Sequence, residues 1–141
     1  MGWQFYNASG QRLSSVADKT ATQAEMEAAS STTAYVTPGR TQYHPGVAKA
    51  WVQIEANGAS VLASHNIASV VDSGTGDRDI NYTTAFSGNN YAVAGFDTGI
   101  GVARYFANDQ VTTADIRVLI ETEGTTRTDS QHSVVMFGDQ S

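Results

Sequence analysis

The chain holds three histidines, His44, His65 and His132, and no two of them stand two or four residues apart. Close spacing of that kind lets two imidazoles of one element converge on a metal ion, so a zinc site here would need ligands from distant strands. Ordinary loop or strand-end histidines are the expectation. Asp72, Asp77 and Asp79 bracket or follow the glycines of Asp72-Ser-Gly-Thr-Gly-Asp77. A calcium loop needs several convergent oxygens, but this spacing is not that of an EF-hand, and Asp with Gly is also the chemistry of an exposed turn. Glu121 and Glu123 would share one strand face about 7 Å apart, a spacing that paired glycosidase carboxylates can use. With no third acid and no run of aromatic subsites beside them, a solvated strand edge is the expectation. Gly99-Ile-Gly101 has no Lys-Ser/Thr and no following helix, and no serine sits in a nucleophile elbow. Cysteine is absent, which excludes disulfides and thiol chemistry. The reading assigns no catalytic residue, no metal and no cofactor, and the chain is not expected to be an enzyme.

The aromatic residues carry more information. From Ala48 to Ala56 one face reads Ala48, Ala50, Val52, Ile54, Ala56, and the other reads Lys49, Trp51, Gln53, Glu55. If the alanine side is the core, Trp51 points outward, and an exposed indole marks a partner. If both faces are buried, one lies within the domain and one between subunits. Trp3, Phe5 and Tyr6 form a short aromatic run suited to docking, while Tyr91, Tyr105 and Phe106 near loop ends are weaker candidates for stacking on a glycan.

Those side chains must be positioned by strands. The 141 residues carry a net charge of −6, and 16% are charged, well short of the usual quarter. Thr, Ser, Ala, Val and Gly make up the difference, which suits pleated surfaces better than helical ones. An acidic chain without clustered Lys or Arg is not expected to bind nucleic acid, and no stretch has the apolar length to enter a membrane as a helix. Ala48–Ala56 runs into Asn57-Gly58, the dipeptide of a two-residue hairpin turn, with Ser60–Ser64 returning and Ile67–Val71 next. Asp72–Asp77 reads as a loop. Ile80, Tyr82, Thr84 and Phe86 line a strand that turns at Ser87–Asn90 and returns as Tyr91–Phe96. Val102–Ala107, a stripe of Ile116, Val118 and Ile120, and Ser133–Phe137 complete the set. About eight short strands with frequent turns imply an antiparallel β-sandwich or barrel. Ahead of them, Thr22-Gln-Ala-Glu25 has capping-box spacing before the helix-forming Gln23–Ala29, and Thr37-Pro38-Gly39 breaks the chain. A helix of two turns needs a surface to pack on, either its own domain or a neighbouring subunit.

Ala21–Gly39, with its short alanine-and-glutamate helix followed by Val36-Thr-Pro38, resembles a segment of bacteriophage tail-fibre and related virion proteins. His44–Trp51, Ser64–Asp77, Asn81–Phe86 and Phe137–Gln140 are similar, in order, to parts of a small β-domain of the same proteins. The resemblance implies an all-β fold, an antiparallel sandwich of about eight strands with a short N-terminal helical segment, assembled as a homotrimer on a virion. It brings no catalytic residues. It implies residues 1–20 as a docking arm, 21–40 as helix and Thr-Pro connector, and 41–141 as the head. Met26, Tyr35 and Trp51 are the expected subunit contacts, and Trp3, Phe5 and Tyr6 the expected contacts to other virion proteins of capsid or tail. Fibres of this family carry long shafts, so a chain with about twenty residues before the helix is expected to be a compact appendage, a capsid decoration protein or a fragment. The alternative function is an adhesin head that binds host surface glycans.

Overall fold

The computed structural model describes residues 6, 9–10, 20–58, 60–97, 104–122 and 126–140, the side chains of 104–109 and 122 excepted. The chain divides into two compact units, Met1–Val47 and Ala48–Ser141.

In the first unit, α1 spans Gln23–Ala28 and opens with the capping box its sequence spells. The Thr22 hydroxyl accepts from the Glu25 amide at 3.2 Å, and the Glu25 carboxylate accepts from the Thr22 amide at 2.8 Å. The Thr22 amide, and the Thr22 hydroxyl that also donates to Glu25 Oε2 at 2.9 Å, hold the Glu25 carboxyl below its ordinary range. The helix ends at Ala29 in the left-handed region (φ 48°), whose amide returns to the Met26 carbonyl. Thr37-Pro38 was expected only to break the chain; instead Pro38 opens a second helical turn, α2 (Pro38–Thr41). The first position of a helix tolerates proline because its missing N–H would have no intrahelical partner there. Thr20 and Tyr35 form an isolated parallel bridge behind the helix, where the Ala21 amide donates to the Tyr35 carbonyl.

The second unit is built of antiparallel sheets, an arrangement compatible with a β-sandwich. Its strands are β1 (Ala50–Ile54), β2 (Val61–His65), β3 (Ile67–Gly74), β4 (Asp77–Tyr82), β5 (Ala92–Asp97), β6 (Arg104–Val111), β7 (Asp115–Thr122), β8 (Thr126–Arg127) and β9 (His132–Phe137). One sheet has the order β2-β1-β9-β5; the other has β3-β4-β7-β6, with β8 pairing the end of β7. Alternation supplies the shared core: Ala50, Val52 and Ile54 from β1 and Val134 and Met136 from β9 meet Ile80 and Tyr82 from β4 and Ile116 and Val118 from β7. At one end of this core Tyr82, Phe86 and Tyr91 pack ring on ring, with Phe86 and Tyr91 stacked at 4.2 Å between centroids. The Tyr82 hydroxyl bonds that of Tyr91, which lies within 3.1 Å of the Thr112 and Asp115 carbonyls. Burial raises both tyrosines above the ordinary phenol range.

Three connections differ from the sequence reading. The β1–β2 turn is longer than two residues: Gly58 donates to the Glu55 carbonyl, Gly58 carries the positive φ (86°), and Asn57 closes the loop through its side chain to Ser60. Asp72–Asp77 is not a loop, because β3 and β4 pair up to Gly74 and Asp77 around Thr75-Gly76. The strands containing Ile80 and Phe96 are not a hairpin; β4 lies in one sheet and β5 pairs β9 in the other. Local turn residues cannot tell a hairpin from a crossing between sheets, since both need the same change of direction. A further crossing occurs at Asn66 (φ 56°), which alone separates β2 from β3. Its amide side chain accepts from the Thr84 amide at 2.7 Å and donates to the Thr84 carbonyl at 3.0 Å, replacing a lost ladder rung.

Gly76 combines a positive φ of 64° with a close backbone approach: a β-carbon there would lie 2.6 Å from the Ile120 carbonyl oxygen and 2.7 Å from the Thr128 nitrogen. Gly76→Ala is therefore expected to lower stability by about 2–4 kcal/mol through combined overlap and backbone strain. Gly88, which has open space around it, should accept alanine with little change. Urea unfolding of both variants measures the difference.

Candidate interaction surface

The inward alternation of β1 forces Trp51 to the opposite side of its sheet, where it is 39% exposed. Register places it between His65 of β2 and Val135 of β9. Phe96, on β5 opposite Ser133, is 65% exposed on the same outer face. The two aromatics thus stand on the strands flanking β9, which presents the smaller Ser133 and Val135 between them. The result is a groove of about 160 Å³, with Trp51 and Phe96 as walls and Gln53, Ser133 and Val135 among its lining. It offers an apolar strip with one amide and one hydroxyl, and none of its lining residues is charged. Such a surface can seat a flat apolar partner or the face of a sugar ring.

The remaining interface candidates lie in the first unit. Met26 is buried, beside a pocket lined by Ala21, Ala29, Ala34 and Val36 among others. Its thioether is already covered in the single chain, which corrects the expectation that it presents itself to a neighbour. Tyr35 and Val36 are exposed. Tyr6 is exposed as well, while Trp3 and Phe5 lie outside the described residues. Tyr91 is buried and hydrogen-bonded, so it is no glycan platform. The side chains of Tyr105 and Phe106, and all of Glu123 and of residues 99–101, are outside the description. Glu121 lies 4.0 Å from the Arg127 guanidinium across the β7–β8 pair.

The aspartates of the β3–β4 hairpin form a cluster that the sequence did not announce. Arg78 sits at the inward register of β4 with Ile80 and Tyr82 and is completely buried. Its Nη1 donates to Asp72 Oδ1 at 2.8 Å and to the carbonyls of Gly74 and Asp77 at 2.6 and 2.7 Å; its Nη2 donates to Asp129 Oδ1 at 2.7 Å. Gly58 packs so closely that a β-carbon there would overlap the guanidinium. On the other side of the strand, buried Asp77 accepts from Arg117 Nε and Nη2 at 2.8 and 2.6 Å and from Arg127 Nη1 at 2.7 Å. The Arg117 hydrogen bonds hold the Asp77 carboxyl below its ordinary range against the opposing effect of burial. The Gly76 amide does the same for Asp129, with help from Arg78. Asp79 lies near Arg117 and bonds Ser73. Arginine guanidinium groups pair with these carboxylates, and among the described residues no three His, Asp or Glu side chains are grouped to hold a metal.

Each histidine stands in a loop or at a strand end, as expected: His44 follows α2, His65 closes β2 and His132 opens β9, but His132 is not on the surface. It is fully buried on β9, and its Nδ1–H donates to the Ser130 carbonyl at 2.8 Å. Burial lowers its pKa from the ordinary value, and Arg78 adds to the effect. His65 is exposed on β2, and His44 Nδ1 accepts from the Gly46 amide. The missed signal was Arg78 and His132 standing in phase with the apolar stripes of β4 and β9, the positions of buried side chains.

No protein-family model, curated protein or solved structure matches the chain.

Two outcomes are expected of the cluster. Arg78→Met strips the acceptors around it of their donor and should cost about 2–4 kcal/mol in urea unfolding. Asp77 and Asp129 have folded pKa values below those of the unfolded chain, where an aspartate titrates near pH ~4. Their contribution is thus complete above that pH and disappears as the pH falls through the folded values. A urea midpoint that drops below pH ~4, and drops less in Asp77→Asn, is the expected result.

Proposed function

We propose that the chain is a non-enzymatic structural protein of a bacteriophage virion, a homotrimeric surface appendage of the fibre-head or capsid-decoration kind. The observation that carries the reading is the uncharged outer strip of the four-stranded sheet, where Trp51 and Phe96 stand exposed. Apolar patches depleted in charge are what subunit interfaces bury, and aromatics dominate their energetics. The resemblance of Ala21–Gly39 and the four later segments to phage virion proteins supplies the particle and the trimer. Exposed Tyr35 and Val36 are further apolar surface for the same assembly. Function then consists of burial and presentation: Trp51 and Tyr35 join the copies, Tyr6 with Trp3 and Phe5 reaches another virion protein, and polar loops face outward. The net negative charge favours solubility over adhesion to acidic envelopes.

A second reading rests on the groove itself. Two aromatic walls with the Gln53 amide and Ser133 hydroxyl between them suit the apolar face and hydroxyls of a pyranose, as in an adhesin head for host glycans.

Sedimentation equilibrium should give three times the 15.0 kDa chain mass at micromolar concentration. The double variant Trp51→Glu/Phe96→Glu should sediment as a folded single chain. A wild-type monomer overturns the assembly. Saturable glycan-array binding that is lost in Trp51→Ala favours the adhesin, and immunogold labelling of intact particles tests the virion location.

A further inference from the structure

Residues 126–130, Thr-Arg-Thr-Asp-Ser, contain no apolar side chain, yet they close the end of the domain where Arg78 and His132 are buried. Every anchor of this segment is polar. Its backbone pairs with β7 at Thr126 and Arg127, and the Thr128 amide donates to the Ile120 carbonyl. The Arg127 guanidinium holds Asp77, Asp129 accepts from both Arg78 and the Gly76 amide, and the Ser130 carbonyl accepts from His132. The other elements around His132 are fixed differently. On β1 its register partner is the apolar Ile54, and β1, β4 and β9 each contribute several side chains to the common core.

We propose that residues 126–130 form an acid-releasable strap, whose trigger is protonation of His132 and whose opening gives the buried Arg78–His132 end access to water. The charged groups that face His132 are Arg78 of β4 and Asp97, its register partner on β5, while Asp72 and Asp129 reach it through Arg78. Asp97 and the Ser130 carbonyl favour an imidazolium; burial and the Arg78 charge oppose it, and burial is the largest of these effects. Neutral imidazole is therefore the form the closed state holds. A proton taken up at His132 sets a second positive charge beside a completely buried guanidinium, and hydration relieves it. The strap is the element that can lift without drawing an apolar side chain of its own from the core, and the ions it parts, Asp129 from Arg78 and Arg127 from Asp77, gain water as that end opens. The sign follows from the direction of the shift. A histidine with a depressed pKa in the closed state stabilises closure fully above the open-state value near pH ~6.5 and progressively less as the pH falls below it. Asp77 and Asp129, held low by their own partners, stay ionised through that window, so they are not the trigger there.

Hydrogen exchange on the full chain at pH 7.5 and 5.0, corrected for intrinsic exchange rates, tests this. Protection of peptides covering 126–132 should fall by up to about 30-fold over that interval, the limit set by one group titrating at about 6.5 in the open state only. Protection of the β1 and Val134–Met136 peptides should change far less. In His132→Gln the pH dependence at 126–132 should disappear. Unchanged protection in the wild type, or an equal loss in the variant, overturns the proposal. Should His132→Gln fail to fold, the wild-type His132 ring resonances serve instead: their midpoint must coincide with strap opening, and a midpoint separate from it overturns the proposal equally.

Discussion

A guanidinium with no exposure to solvent organises one whole end of the second unit. A guanidinium carries its charge and five donors into the interior, so the burial of Arg78 requires acceptors that arrive from several parts of the chain at once. Asp72 comes from β3, two carbonyls come from the hairpin turn, Asp129 comes from the segment after β8, and the Gly58 turn packs against the planar head. None of these is a neighbour by local structure except the hairpin itself. The glycine at 58 follows from the same constraint, because a β-carbon there would overlap the guanidinium, whereas Gly76 answers to the close approach of the Ile120 and Thr128 backbone. On the opposite face of β4 the adjacent Asp77 takes two arginines, so charge of both signs is matched on either side of one strand.

The two ends of β4 therefore differ in chemistry. Arg78 marks a polar end, shared with His132 across the core, and Tyr82 marks an aromatic end, shared with Phe86 and Tyr91. Between them lie small aliphatic side chains from four strands. With both inner faces used in this way, each strand's alternate residues must go outward. On the four-stranded sheet those that line the groove are uncharged and include Trp51 and Phe96, which is the physical basis for the assembly proposed above.

The polar end and the outer strip answer to different conditions. Contacts between copies through aromatic surface depend on concentration and little on salt, whereas the strap around Arg78 depends on the ionisation of the groups it joins. The proposed contacts between copies and the proposed response to acid therefore depend on different conditions. The two properties reside on separate residues and can be altered separately.

The sequence by itself determined the local elements. The capping box at Thr22 and Glu25, the alternation of β1 and the inward stripe of β7 were legible because each depends on neighbours within a few residues. The outward direction of Trp51 followed from the same alternation. What only the tertiary structure decided was which strands share a sheet, and hence that β4 and β5 part company although their turn reads as a hairpin. It also decided that Arg78 and His132 are interior, and that the hairpin aspartates are arginine partners instead of loop residues. A charge can be buried only where its counter-charges converge, and here Asp129 reaches Arg78 and Arg127 reaches Asp77 from positions 51 and 50 residues away along the chain. That convergence is a property of the fold, and no local pattern encodes it.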